Sequence, residues 1–125
     1  MADGPGRPRF SGVVAVVERW LQPVADWIQS RVGIVSVTAA YTVPASVFYV
    51  RADVTSAGFT VTLPAAAGRD GRQICVKKID ASGNTLTLGV TGSDTIEGSA
   101  TKTTTTQWAR WVVISNGNNQ WEIIG

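Results

Sequence analysis

Residues 108–124 read Trp-Ala-Arg-Trp-Val-Val-Ile-Ser-Asn-Gly-Asn-Asn-Gln-Trp-Glu-Ile-Ile, and this stretch decides the kind of fold. Two apolar runs, 108–115 and 120–124, flank the polar residues 116–119. Asn-Gly between apolar runs is a strong hairpin signal, because Gly, and to a lesser degree Asn, adopts the positive φ that tight turns need. The sequence therefore predicts a hairpin that closes a β-domain, with Trp121 just after the turn and positioned to cover the opposite strand.

The sequence before the hairpin alternates between apolar and polar residues in short runs. Phe-Thr-Val-Thr-Leu at 59–63, for example, would place alternate side chains on opposite faces of a strand. Gly, Pro, Asn and Asp residues separate the runs at short, regular intervals, which is typical of an antiparallel sandwich or barrel. We therefore predict a small antiparallel β-sandwich or barrel-like domain of about eight strands over residues 34–125. The predicted strands are 34–39, 46–52, 59–63, 72–79, 85–90, 100–106, 108–115 and 120–124.

Residues 11–33 follow a helical period instead. Ser11 suits the N-cap and Gly33 the C-terminal cap, and the apolar positions between them step by four and three. Pro23 removes an intrahelical hydrogen bond, so we expect an amphipathic helix that is kinked or broken there, rather than a straight rod. The residues predicted to anchor this segment or to form its oligomer interface are Val13, Val17, Trp20, Leu21, Val24, Trp27 and Ile28.

A lone helix cannot bury so wide an apolar stripe, and three partners for it remain open. These are the β-domain, copies of the same segment about an axis, and a different protein or a membrane surface. The four-three spacing favours self-association. Balanced acidic and basic residues count against a membrane surface, where the polar face is usually rich in Lys and Arg. Residues 1–10 contain two Gly and two Pro and predict a flexible arm.

The composition narrows the functional classes. Charged residues make up 16% of the 125-residue chain, below the quarter usual in soluble proteins, which favours a surface partly covered by other copies. A net charge of +2 without a basic stripe does not indicate nucleic-acid binding. The chain has no histidine, and its single cysteine, Cys75, lies in an apolar alternation typical of a packed thiol. We predict no secretory signal and no membrane-spanning segment.

Asp94 and Glu97 are the only close pair of carboxylates in the predicted β-domain. A glycoside hydrolase needs two carboxylates at a fixed separation in a sugar-sized cleft, and a domain this small has little room for one. A cation site built from these carboxylates and backbone carbonyls is a minor alternative. We therefore predict no catalytic residue, no cofactor and no metal ligand.

From residue 61 onward the sequence resembles a β-domain widespread in tailed-phage virion proteins, namely tail fibres, head fibres and capsid decoration proteins. The resemblance covers residues 59–124, about half of the chain. The closing turn is one residue longer than is usual in that family. The aromatic residue before the penultimate strand is usually Tyr there, whereas this chain has Trp108 and Trp111 in that region. The matching segments are Val-Thr-Leu-Pro-Ala-Ala-Ala-Gly at 61–68, Lys-Lys-Ile-Asp at 77–80, Asn-Thr-Leu-Thr-Leu at 84–88, Asp-Thr-Ile-Glu-Gly at 94–98 and the closing hairpin.

This resemblance implies a non-enzymatic virion structural protein, made in the host cytoplasm and exposed on the particle surface. It would be a homotrimeric head fibre, capsid decoration protein or short fibre, in which residues 1–33 contact other virion proteins. The alternative is a tail-associated receptor-binding module that recognises a host glycan through residues 65–71 and 116–120. Neither interpretation involves nucleic acid.

Several residues of the matching segments have a structural interpretation that needs no partner. Asp94 would accept hydrogen bonds from the backbone of its own turn. Ile96 would be an isolated apolar anchor in the core, and residues 42–44 would form a turn. The residues predicted to serve turns and the core are Asp94, Ile96, Gly98, Gly117 and Trp121.

Overall fold

The computed structural model describes residues Gly33–Gly125, and these residues contain one buried hydrophobic cluster. The predicted arm and the predicted helix up to residue 32, with all seven of its interface residues, lie outside the described residues. The described part contains ten strands: β1 Ile34–Val37, β2 Tyr41–Thr42, β3 Tyr49–Ala52, β4 Phe59–Thr62, β5 Gln73–Lys78, β6 Leu86–Gly89, β7 Thr95–Ile96, β8 Thr101–Thr104, β9 Arg110–Ser115 and β10 Gln120–Ile123.

The chain alternates between two sheets as it winds. The first sheet has six strands in the order β1-β3-β5-β9-β10-β7, and the second has four in the order β2-β4-β6-β8. Among β1 to β6, each strand that returns to its sheet after one pass through the other sheet runs parallel to the previous strand of its own sheet. Residues 34–89 therefore form a flattened coil of strands, and β8, β9 and β10 then add antiparallel neighbours.

The predicted mainly β fold is confirmed for the described residues, but the predicted antiparallel arrangement is wrong. Five of the eight strand pairings are parallel. Period-two alternation reports only which face a side chain occupies, and it is the same for both strand directions. Parallel neighbours need a long crossover, and here a strand of the opposite sheet supplies it.

Three local predictions also differ from the structure. Tyr41–Thr42 form a strand where a turn was expected from residue 42, and Thr95–Ile96 form a strand where an isolated anchor was expected. Strand β9 begins at Arg110 rather than at residue 108. The closing hairpin is confirmed, since β9 and β10 pair antiparallel with Trp121 opposite Ser115.

The core lies between the two sheets and consists mainly of aliphatic side chains at alternate strand positions. The strand register aligns these side chains in rows, with Val50 beside Val76 and Val61 beside Leu88. Each fully buried side chain of this size contributes roughly 1.5–3 kcal/mol. The fully buried residues of this cluster include Val50, Ala52, Val54, Val61, Leu63, Ile74, Val76, Leu86, Leu88, Ile96, Val113 and Trp121.

Candidate functional site

A buried lysine lies at the end of β5, within the Lys-Lys-Ile-Asp part of the family-like pattern. Lys78 continues the inward alternation of Ile74 and Val76, and its side chain is 0% exposed. Its Nζ donates to the carbonyl of Asp80 at 3.0 Å, to Asp80 Oδ2 at 3.1 Å and to the carbonyl of Ser82 at 2.6 Å. An ammonium has three donors, and all three have acceptors here. This complete pairing explains how a charge is tolerated inside the domain.

The Asp80 carboxylate accepts hydrogen bonds from both the backbone and side chains. Its Oδ1 accepts from the Val54 N–H at 2.9 Å, and its Oδ2 accepts from the Ser82 N–H at 3.0 Å, from the Ser82 hydroxyl and from Lys78. Burial opposes ionisation of this carboxyl group. The hydrogen bonds from Ser82, Val54 and Lys78 outweigh burial, and they hold the pKa of Asp80 well below its usual range.

Asn84 completes the network by fastening the connection between β5 and β6 to the loop after β3. Its Nδ2 donates to the carbonyl of Val54 at 2.8 Å and to that of Thr55 at 3.1 Å. Sequence reasoning missed this network. Its signal is a lysine at an inward strand position followed by polar residues at every second place: Lys78, Asp80, Ser82 and Asn84.

The loop after β4 is fixed by three side chains that are distant in sequence. The fully buried Trp121 donates from Nε1 to the Pro64 carbonyl at 3.1 Å. Asp94 Oδ2 accepts from the Ala66 N–H at 2.9 Å, and the Ser115 hydroxyl donates to the Ala66 carbonyl at 2.8 Å. Asp94 therefore holds this distant loop through its side chain, whereas its own turn was the expected partner.

Ile96 is buried in β7, and the two residues that follow it form a tight turn. Glu97 has φ 49° and Gly98 has φ 85°, and two successive positive φ values are the mark of a type I′ turn. Ile96 and Ser99 exchange two backbone hydrogen bonds across this turn, at 2.6 and 3.0 Å. The Glu97 carboxylate accepts from the Ile123 N–H at 3.0 Å and so joins the turn to β10.

The closing turn of the β9–β10 hairpin packs on the loop before β5. Asn116 Oδ1 accepts three backbone N–H groups, those of residues 118, 119 and 120, at 2.9, 3.1 and 3.1 Å. Gly117 has φ 81°, and its carbonyl accepts from the Gly68 N–H at 3.1 Å. The two loops that the alternative interpretation assigns to glycan recognition are therefore hydrogen-bonded to each other.

Threonines line the outward face of the four-stranded sheet. The register aligns Thr60 with Thr87 and Thr87 with Thr103, and in the next row it aligns Thr62 with Gly89 and Gly89 with Thr101. The inward positions of β4 and β6 include the buried aliphatic residues Val61 and Leu88. No charged residue occupies these six outward positions.

The carboxylates of Asp94 and Glu97 each bind a different backbone N–H group. Within residues 33–125, no three His, Cys, Asp or Glu residues are placed to hold a metal ion together. No helix in that part of the chain is long and apolar enough to cross a membrane.

Comparison of the chain with models of known protein families gives no match, and comparison with curated protein sequences also gives none.

Proposed function

We propose that this chain is a non-enzymatic virion structural protein, a homotrimeric head fibre, capsid decoration protein or short fibre. The observation that carries the proposal is that the side chains of the family-like pattern fix the backbone. Lys78 and Asp80 hold two loops together, while Asp94 and Trp121 hold a third. In this proposal residues 1–33 attach the protein to other virion proteins, and residues 34–125 are exposed on the particle.

The threonine face of the four-stranded sheet supports self-association. Its central position, Thr87, and its neighbours are uncharged, so burying them against another copy would desolvate no charge. β-Branched side chains pack well on a pleated surface, and their hydroxyl groups can pair across it. The low charged fraction of the chain, 16%, agrees with a surface that is partly covered.

Native mass spectrometry and light scattering on the full chain test the trimer directly. We expect the wild-type chain to be a trimer, and a monomer would refute the assembly proposal. The oligomeric state of a fragment of residues Gly33–Gly125, checked for folding by circular dichroism, shows whether the first 32 residues serve attachment or trimerisation. A trimeric fragment would assign them to attachment, and a monomeric fragment would assign them to trimerisation.

Charge introduced into the threonine face tests whether copies meet there. Thr87→Lys places an ammonium at the centre of the face, and we expect it to dissociate the trimer. Ser56→Lys adds the same charge in an exposed loop and should leave the trimer intact. A Thr87→Lys chain that remains trimeric would show that a different surface forms the contact.

A further inference from the structure

Three basic residues form a row across the outward face of the six-stranded sheet. The register places Arg51 beside Lys77 and Lys77 beside Arg110. Adjacent strands are about 4.8 Å apart, and like charges directly opposite each other destabilise a sheet. The only salt bridge within residues 33–125 joins Lys78 to Asp80 on the inward side. No carboxylate of the described part therefore pairs with the row.

Trp108 lies beside this row in a strained backbone conformation. Its φ is 69°, a left-handed value that is costly for a bulky side chain, and its N–H donates to the Lys78 carbonyl at 2.7 Å. The side chain is 55% exposed, and Lys77 Nζ lies 5.5 Å from the ring centroid. Residues held in sparsely populated backbone conformations cluster at functional sites. This backbone conformation places an exposed indole ring next to Lys77, the central cation of the row.

A partly buried apolar row runs next to the basic row on the same outward face. It consists of Tyr49, Cys75 and Val112, which the register aligns across β3, β5 and β9. Burial raises the pKa of the Cys75 thiol, whereas Arg110 and Lys77 lower it, which agrees with their proximity. The face therefore offers cations, one exposed aromatic ring and an apolar strip side by side.

We propose that this face binds an acidic polysaccharide, a chain of sugar rings that carry carboxylates. The carboxylates pair with Arg51, Lys77 and Arg110, and the Trp108 ring stacks on the C–H face of one sugar. Sites for single-stranded nucleic acid stack successive bases on several aromatic rings, whereas this row has one exposed ring, Trp108. The site lies apart from the loops at 65–71 and 116–120, and it does not depend on the oligomeric state.

Isothermal titration of the full chain with polygalacturonate tests the site. Lys77→Gln should weaken binding severalfold, and the Arg51→Gln/Lys77→Gln/Arg110→Gln variant should weaken it at least about tenfold. Lys102→Gln is the matched control, because it removes one lysine charge from the other sheet and should leave the affinity unchanged. Trp108→Gly should also weaken binding while relieving the backbone strain, since glycine adopts positive φ freely.

Two comparison ligands distinguish the class of partner. Neutral pullulan should not bind, and polydeoxythymidylate should bind more weakly than polygalacturonate and without dependence on Trp108. Absence of polygalacturonate binding by the wild-type chain would overturn the proposal. Equal losses in Lys77→Gln and Lys102→Gln, full affinity in Trp108→Gly, or tighter binding of the nucleic acid would each overturn it as well.

Discussion

The ammonium of Lys78 lies 3.1 Å from the carboxylate of Asp80 inside the β-domain, and neither side chain is more than 5% exposed. Attraction between two buried charges is largely offset by the cost of removing them from water. Whether the pair stabilises the fold therefore depends on its other hydrogen bonds. Both the ammonium and the carboxylate bond backbone groups of neighbouring loops. The pair therefore fastens the connection between β5 and β6 to the loop after β3.

Lys78→Met should destabilise the domain by about 3–5 kcal/mol, the usual cost of removing one partner of a buried ion pair. The substitution leaves the Asp80 carboxylate without its counter-ion, and the carbonyls of Asp80 and Ser82 lose their donor. Urea denaturation measures the change in the free energy of unfolding. Lys77→Met, one residue away on the outward face, should change it by about 0.5 kcal/mol or less. Equal losses in the free energy of unfolding for the two substitutions would show that the buried pair does not stabilise the fold.

The stability of the domain should fall as the pH drops below about 4, the ordinary pKa of aspartate. The pKa of Asp80 is lowered in the folded state, so the unfolded state takes up a proton first. Stabilisation by Asp80 is complete above the unfolded pKa and is lost as the pH falls towards the folded pKa. Urea denaturation at several pH values should show this acidic decline.

Asp80→Asn should flatten that decline and should also lower the stability at neutral pH. A decline that is as steep in Asp80→Asn as in the wild-type chain would assign it to other carboxylates.

The sequence predicts the hairpin and the positions of most strands, because both depend on local periodicity and turn residues. It does not predict strand direction. Thr60 and Thr62 alternate with apolar residues in the same way whether β6 runs parallel or antiparallel to β4. The direction of a strand depends on where the chain crosses from one sheet to the other. No short sequence motif predicts that crossing.

The candidate sites were only partly predictable, because their contacts depend on residues distant in sequence and on strand register. Trp121 was expected just after the closing turn, but its partner, the Pro64 carbonyl, is 57 residues away. Lys77 and Lys78 look equivalent in the sequence, yet the register sends the first outward and the second into the core. The apolar run predicts Trp108 at the start of a strand, whereas it precedes β9 and is exposed.

Trp121→Phe should destabilise the domain by about 1–3 kcal/mol. Phenylalanine cannot donate to the Pro64 carbonyl, and it is too small to fill the space of the fully buried indole. The midpoint of urea denaturation should fall with little change in the slope of the transition. Trp108→Phe is the matched control, because that side chain is exposed, and its midpoint should be unchanged. Equal midpoints for the two variants would mean that the indole bond does not hold the loop.

Gly117→Ala should cost more than Gly92→Ala, although both glycines have positive φ, at 81° and 62°. The left-handed conformation penalises alanine by about 1–2 kcal/mol at either position. At Gly117 the added Cβ would also lie 2.8 Å from the Cβ of Asp70, whereas at Gly92 it would meet nothing within 4 Å. This clash should add about 1–3 kcal/mol to the free-energy cost, as overpacking usually does.

A second substitution can separate the clash from the backbone strain at this turn. Asp70→Gly removes the nearest atom, so the double variant Asp70→Gly/Gly117→Ala should recover part of the stability that Gly117→Ala loses. Thermal denaturation of the two single glycine variants, of Asp70→Gly alone and of the double variant gives the coupling between positions 70 and 117. A coupling near zero, or equal losses in Gly117→Ala and Gly92→Ala, would mean that the loop between β4 and β5 moves to accommodate the added methyl group. A stabilising coupling would show that the loop between β4 and β5 packs too tightly on the closing turn to accommodate the added methyl group.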